Sequence, residues 1–161
     1  MSASARVESC ERVGLALPFL LIAALAIVAG GAIAAAMAHA PGRKVLWAVA
    51  YLVLVVGVTQ AVLGVGQALL ATREASRSVR VLEWVMFNLG SAGVMGGTLC
   101  TVRLLVVAGT LLFAASLVMF LLATRESSGH WPILAYRALL VFIGGSAVVG
   151  LVLGLLRAGA A

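Results

Sequence analysis

The chain has 161 residues, of which 64% are hydrophobic and 10% charged, and this composition excludes an ordinary soluble globular domain. Its formal net charge of +6 does not indicate nucleic-acid binding, because the basic residues are spread through short segments between long apolar runs. Those runs show no alternation of apolar and polar residues, so the sequence predicts an all-α, polytopic transmembrane helical bundle, a single integral membrane domain over residues 1–161.

The first two apolar segments are predicted membrane spans, since about 20 apolar residues suffice for a helix to cross a bilayer. The first lies over about residues 13–38. It is longer than the apolar region of a cleaved signal peptide, so we interpret it as a retained helix. The second lies over about residues 45–71 and follows Pro41-Gly42, which ends the preceding helix.

The third segment, over about residues 81–99, is less apolar and contains Glu83 and Asn88. Wound as a helix it has one apolar and one polar face. Such a helix lies in the membrane interface, or it crosses with its polar face turned into a bundle. Its length and the small residues between Gly90 and Gly97 favour crossing. The sequence therefore favours five spans, with four spans and an interfacial helix as the alternative.

The fourth and fifth segments, over about residues 104–124 and 136–157, each lie between arginines and are predicted spans. The motif LLATRE ends the second segment at residues 69–74 and the fourth at residues 121–126. The two copies indicate a parallel repeat of residues 45–99 and 100–157. The alternative is chance, because apolar residues align readily and only Thr-Arg-Glu is informative.

Basic and aromatic residues indicate how the spans are oriented. With five spans, seven basic residues lie on one side (Arg6, Arg12, Arg73, Arg77, Arg80, Arg125, Arg137) and four on the other (Arg43, Lys44, Arg103, Arg157). The positive-inside rule then predicts a cytoplasmic N-terminus, and we expect a cell or plasma membrane. Four spans also give seven basic residues against four with the N-terminus inside, so charge does not choose between the topologies. Aromatic residues such as Tyr136 lie near span ends, as in an interfacial aromatic belt.

Four polar residues within the segments form a candidate intramembrane site: Glu83, Asn88, Gln60 and Gln67. An ionisable group inside a membrane is a functional candidate by default. The alternative interpretations are structural. Glu83 would pair with Arg80 or with water near the interface, and the two glutamines, seven residues apart on one helix face, would hydrogen-bond between helices.

Catalytic chemistry is not indicated. The chain has no aspartate, and its glutamates form no pair suited to acid–base catalysis. Its two histidines and two cysteines form no haem, zinc or redox motif, and no nucleophile elbow or nucleotide-binding fingerprint occurs. We therefore predict no enzyme activity, no catalytic residue, no cofactor and no metal site.

Small residues recur every four positions on the first and last segments. On the first they include Gly30 and Ala34, and on the last they include Ser146, Gly150 and Gly154. Small residues let membrane helices approach closely, within one chain or between chains. They predict helix packing, and they make self-association or contact with other membrane subunits a functional hypothesis.

Three functional hypotheses follow. The leading one is a packing, scaffold or accessory subunit of a membrane assembly, whose partners are the lipid bilayer and other membrane proteins and not nucleic acid. The first alternative is a small transporter or channel in which the four candidate polar residues share a water-accessible cavity. The second is a membrane enzyme or quinone-site protein, with Trp84, Asn88 and His130 as the ligands.

Overall fold

The computed structural model describes residues 3–40, 42–70, 76–125 and 131–159, and within these ranges the side chains from residue 14 to residue 156 except that of residue 15. The described residues form five helices: α1 (Ala3–Ala36), α2 (Arg43–Leu70), α3 (Arg77–Cys100), α4 (Arg103–Ala123) and α5 (Trp131–Gly159). No strand occurs among them, so the predicted all-α class is confirmed.

Local chemistry at the first turn, rather than hydropathy, explains where α3 and α5 begin. The Oγ atom of Ser76 accepts a hydrogen bond from the backbone N–H of Val79 at 3.3 Å, so α3 begins ahead of its predicted span. Pro132 is the second residue of α5. Proline has no backbone N–H, and an N–H at this position would have no acceptor within the helix, so proline is tolerated there. Both helices therefore extend beyond the predicted spans 81–99 and 136–157 at their N-terminal ends.

Four helical segments are long and apolar enough to cross a membrane: Ala16–Ala36, Arg43–Leu70, Arg103–Ala123 and Trp131–Leu156. They correspond to the first, second, fourth and fifth predicted spans and support a multi-pass membrane protein. The helix α3 is not among them, because Glu83, Asn88 and the glycines of its second half lower its hydropathy.

The length and packing of α3 nevertheless favour a helix that crosses the membrane. Its 24 residues extend about 36 Å, against about 32 Å for the 21 residues of α4, at about 1.5 Å per residue. Its polar face is turned inward, since Glu83 and Ser91 are buried while Val81, Leu82 and Leu89 are exposed. An interfacial helix would instead turn its polar face to water. This arrangement favours five spans, which stay a prediction.

The chain divides into two compact units, Met1–Ala71 and Thr72–Ala161, called below the N-terminal unit and the C-terminal unit. The N-terminal unit is the hairpin of α1 and α2. Glycines on α2 make room for large side chains on α1: a Cβ atom at Gly64 would lie 2.5 Å from Cβ of Phe19, and one at Gly57 would lie 2.6 Å from Cγ1 of Ile27. The missing Cβ atoms therefore allow the two helices to pack closely.

The C-terminal unit contains a still closer contact, between α3 and α4. A Cβ atom at Gly90 would lie 2.5 Å from the backbone nitrogen of Phe113, and one at Gly109 would lie 2.5 Å from that of Val94. Only glycine fits at such distances. The rings of Phe87 and Phe113 pack 5.1 Å apart beside this contact. Four residues form this glycine seam: Gly90, Gly93, Gly97 and Gly109.

A tight turn sets the register of the glycine seam. Thr101, which follows α3, has φ 58° and ψ 28°, the left-handed conformation that ends many helices. The backbone N–H of Val102 donates to the carbonyl of Gly97 at 2.8 Å, which closes the turn. The helix α4 then runs antiparallel to α3, with Gly97 opposite Val106. The third helix, α5, packs on α4, where a Cβ atom at Gly144 would meet Leu117 at an ordinary 3.7 Å.

The predicted parallel repeat stays a prediction. Residues 71–75 and 126–130 lie outside the described residues, and most of the informative Thr-Arg-Glu lies there. The prediction of one integral membrane domain over residues 1–161 also stays a prediction.

Candidate functional site

The four candidate polar residues are divided between the two units. Gln60 and Gln67 lie on α2 in the N-terminal unit, whereas Glu83 and Asn88 lie on α3 in the C-terminal unit. Asn88 is half-buried and the other three are buried. Each pair is therefore a candidate site within its own unit.

Gln60 lies in the contact between α1 and α2. Gly64, one turn further along α2, packs directly on Phe19, which places Gln60 on the same side of the helix. Its side chain is fully buried, and neither amide atom has a hydrogen-bond partner among the described residues. A buried amide without partners costs free energy in apolar surroundings. Gln67 is also buried, as its seven-residue spacing from Gln60 leads us to expect.

A π-helical segment, Leu52–Thr59, immediately precedes Gln60. The Oγ1 atom of Thr59 donates to the carbonyl of Leu54 at 2.9 Å, five residues earlier. The wider π-helical turn rotates the residues that follow relative to those before, and such segments often occur at functional sites. The segment therefore sets which α2 side chains, Gln60 included, point toward α1.

Glu83 is fully buried in the C-terminal unit. It lies about 9 Å along the α3 axis from Arg77 and about 4.5 Å beyond Arg80. Continuing the register of the glycine seam places it opposite Phe120, which is also fully buried. This burial does not fit a carboxylate that meets water at the membrane interface.

Two consecutive residues of α5 complete this site. Tyr136 is 5% exposed, and its phenol lies within electrostatic range of the Glu83 carboxylate. The Nη2 atom of Arg137 donates to the backbone carbonyls of Thr124 and Arg125, the second at 3.1 Å. Those carbonyls follow the last turn of α4, where a helix has free acceptors and partial negative charge. By capping α4, Arg137 ties the beginning of α5 to the end of α4.

Asn88 has a local partner. Its Nδ2 atom donates to the carbonyl of Trp84 at 2.8 Å, one turn earlier on α3. This bond satisfies part of the amide within the helix and favours a structural role. The indole nitrogen of Trp84 and the hydroxyl of Ser91 are buried without a hydrogen-bond partner among the described residues. Both lie on α3 with Glu83, while α4 carries further buried hydroxyls at Thr110 and Ser116.

The predicted packing residues have different surroundings. Gly30 is buried against α2, where a Cβ atom would lie 2.5 Å from Cγ2 of Val53, so its small size serves the hairpin of the N-terminal unit. Ala34 is exposed. Ser146, Gly150 and Gly154 are exposed on α5, and a Cβ atom at either glycine would meet no described atom within 4 Å. Their contact with a partner stays a prediction.

Sequence reasoning missed the roles of Tyr136 and Arg137. The sequence pattern assigns Tyr136 to an aromatic belt and Arg137 to the charges at the membrane surface. The structure buries Tyr136 within the C-terminal unit and places Arg137 at the end of α4. No spacing in the sequence relates these residues to Glu83, because helix periodicity acts within one helix only.

No protein-family model matches the chain, and no curated protein or solved structure is detectably similar to it. Among the described residues, no group of three or more His, Cys, Asp and Glu side chains is arranged to hold a metal ion. His39 and Cys100 are exposed, and His130 lies outside the described residues. The helical bundle and its four apolar helices support a multi-pass membrane protein.

Proposed function

We propose that this chain is a non-catalytic subunit of a membrane assembly that associates with a second copy of itself through one side of α5. The term α5 face is used for Ser146, Gly150 and Gly154, which define that side. The observation that carries the proposal is that these small residues are exposed on the candidate span that the chain itself buries least.

The contrast with the other glycines supports this proposal. In the glycine seam and at Gly30, a Cβ atom would collide with a neighbouring helix, so glycine there serves packing inside the chain. At Gly150 and Gly154 the same atom would meet open space. Membrane helices gain association energy chiefly where small residues let two backbones approach. A second α5 helix offers a complementary small-residue surface at this position.

Ser146 is compatible with such a contact. Its Oγ atom donates to the carbonyl of Ile143 at 2.8 Å, so the hydroxyl is satisfied within its own helix. The α5 face therefore presents no hydroxyl that requires water, and it can be buried against lipid or against another helix. We place this assembly in the cell or plasma membrane with a cytoplasmic N-terminus, as the positive-inside rule predicts.

Oligomeric state tests the proposal. The protein, extracted in a mild detergent, is expected to give a homo-oligomer in native mass spectrometry. Gly150→Ile places a branched side chain on the α5 face and is expected to shift the population to the monomer. Gly145→Ile is the matched control, because Gly145 lies on the same helix but off the α5 face and is equally open. A wild-type monomer that also fails to cross-link in native membranes contradicts the proposal.

The burial of Glu83 favours a second candidate function, a small transporter or channel. Of the four candidate polar residues, Glu83 and Asn88 share the C-terminal unit, so the ionisable site of such a protein would lie there. Proton uptake into vesicles that contain Glu83→Gln protein is the direct test. Unchanged uptake excludes Glu83 from transport.

The enzyme or quinone-site alternative has less support. Of its three predicted ligands, Asn88 donates to the carbonyl of Trp84, and His130 lies outside the described residues. We therefore keep a non-catalytic role as the proposal. A purified protein that carries an absorbing or redox-active cofactor would overturn it.

A further inference from the structure

We infer that Arg77, Arg80 and Arg125 form a binding site for the phosphate of an anionic phospholipid. Together they form the arginine site, at the end of the C-terminal unit where α3 begins and α4 ends. The inference requires that the chain lies in a membrane. It does not depend on association through the α5 face.

The packing of α3 on α4 brings the three arginines to one level. The two helices run antiparallel, with Gly90 opposite Phe113. Continued toward the start of α3, this register places Arg80 and Arg77 level with the last turn of α4 and with Arg125. At about 1.5 Å per residue, the three positions lie within about 5 Å of one another along the helix axes. Arg77 and Arg125 are exposed and Arg80 is half-buried, so the site is open to a ligand from outside the unit.

Positive charge dominates this end of the C-terminal unit. The sequence over residues 71–83 and 124–137 contains five arginines and three glutamates. Of the glutamates, Glu83 is buried, and Glu74 and Glu126 lie outside the described residues. The Nη2 atom of Arg137 donates to two backbone carbonyls at the end of α4, which offsets the partial negative charge there. A negatively charged group is therefore attracted to the arginine site.

Phosphate matches the donors that the arginine site offers. A guanidinium group presents its N–H donors in a planar fork, which fits two phosphate oxygens at once. The Oγ atom of Ser76 caps the backbone N–H of Val79, and the N–H groups before it in the first turn of α3 have no acceptor within the helix. Such N–H groups bind phosphate oxygens, and the helix dipole favours negative charge beside them. The site therefore fits a phosphate group better than a carboxylate or a neutral headgroup.

The apolar surface beside the arginine site favours a lipid as the source of the phosphate. Val81 and Leu82 of α3 are 52% and 49% exposed, and Leu122 of α4 is 58% exposed. Each lies within one helical turn of an arginine of the site, on the side toward the middle of its helix. Acyl chains can lie against these side chains while the phosphate meets the guanidinium groups. The positive-inside rule predicts that this end faces the cytoplasmic leaflet, where anionic lipids occur.

Native mass spectrometry of the full chain in a mild detergent tests the inference. The protein is titrated with phosphatidylglycerol, with phosphatidylcholine and with inorganic phosphate, and the bound fraction is measured at each concentration. We expect phosphatidylglycerol to bind several-fold more tightly than phosphatidylcholine and far more tightly than inorganic phosphate. Equal affinities for the two lipids would overturn the inference. Inorganic phosphate that binds as tightly as phosphatidylglycerol would overturn the assignment to a lipid.

Substitutions at exposed positions show whether the arginine site is where the lipid binds. Arg77→Gln and Arg125→Gln are each expected to lower the affinity for phosphatidylglycerol about fivefold, the usual effect of one basic residue at a membrane surface. Arg43→Gln is the matched control, because Arg43 is also exposed and also begins a helix, in the N-terminal unit. It is expected to leave the affinity unchanged. An equal loss in all three variants would overturn the site.

The same spectra separate this inference from the proposed assembly, because they report oligomeric state and bound lipid together. A monomer that keeps its preference for phosphatidylglycerol contradicts self-association through the α5 face and supports the arginine site. An oligomer without that preference contradicts the arginine site alone.

Discussion

Replacing Gly90 by alanine is expected to destabilise the C-terminal unit, because the added methyl group meets backbone atoms that cannot rotate away. Its Cβ atom would lie 2.5 Å from the nitrogen and 2.9 Å from the Cα atom of Phe113, and 2.9 Å from the carbonyl oxygen of Gly109. Relief to an ordinary contact distance requires α3 and α4 to separate by roughly 1 Å. The perturbation therefore acts on the whole glycine seam.

The expected loss of stability follows from that separation. Added methyl groups in a well-packed contact cost about 1–3 kcal/mol, and a gap of about 0.5–1 Å also forfeits a quarter to a half of the dispersion energy of the atoms it separates. We expect Gly90→Ala to lower the free energy of unfolding by about 2–3 kcal/mol.

Gly96→Ala is the matched control on the same helix. Its Cβ atom would lie 3.9 Å from Cδ2 of Leu105, an ordinary contact with a flexible side chain. Since alanine has the higher helix propensity, this variant is expected to be unchanged or more stable by up to about 1 kcal/mol. The stabilities of the two variants are compared by adding sodium dodecyl sulfate to protein in a mild detergent. Unfolding is followed by circular dichroism and by the fluorescence of Trp84 and the other tryptophans. If Gly90→Ala proves as stable as Gly96→Ala, the close approach of α3 and α4 is refuted.

Three further variants test other parts of the structure by the same titration. Gln60→Leu removes a buried amide without partners and is expected to stabilise the protein by about 1–2 kcal/mol; a loss of stability would show that the amide has a partner. Thr101→Gly relieves a left-handed residue and is expected to add up to about 1 kcal/mol, whereas destabilisation would argue against this turn. Arg137→Met removes donors to the end of α4 and is expected to cost about 1–3 kcal/mol of stability. Arg125→Met, at an exposed position, should cost much less. Equal losses in the two variants would show that Arg137 does not cap α4.

Much of the fold could be predicted from the sequence because a bilayer imposes a minimum length on apolar helices. The runs that became α1, α2, α4 and α5 are long enough to be recognised without any knowledge of their neighbours. The boundaries were less predictable, since they depend on local caps such as Ser76 and on the tolerance of Pro132 in a first turn.

The contacts between helices could not be predicted in the same way. The small residues between Gly90 and Gly97 indicated close packing, but nothing in the sequence identifies Gly109 as the position they meet. That partner follows from the turn at Thr101, whose left-handed conformation is unusual for a β-branched residue and fixes the register of α4.

The candidate site shows the same limit. Helix periodicity places Glu83 and Ser91 on the polar side of α3, yet it does not say whether that side meets water or protein. The structure buries it, and within the same unit it also buries Tyr136, more than fifty residues away in the chain. Burial and partners of this kind depend on the tertiary packing of three helices, which no spacing within one helix encodes.

The proposed topology requires α3 to cross the bilayer with its polar face turned into the C-terminal unit. Ser76 precedes α3 and Cys100 ends it, so labelling of these two positions with a membrane-impermeant thiol reagent tests the crossing directly. One protein retains Cys100 as its single cysteine in a Cys10→Ser background, and the other carries Ser76→Cys with Cys10→Ser and Cys100→Ser. We predict labelling from opposite sides of the membrane. Labelling of both positions from the same side would contradict the account.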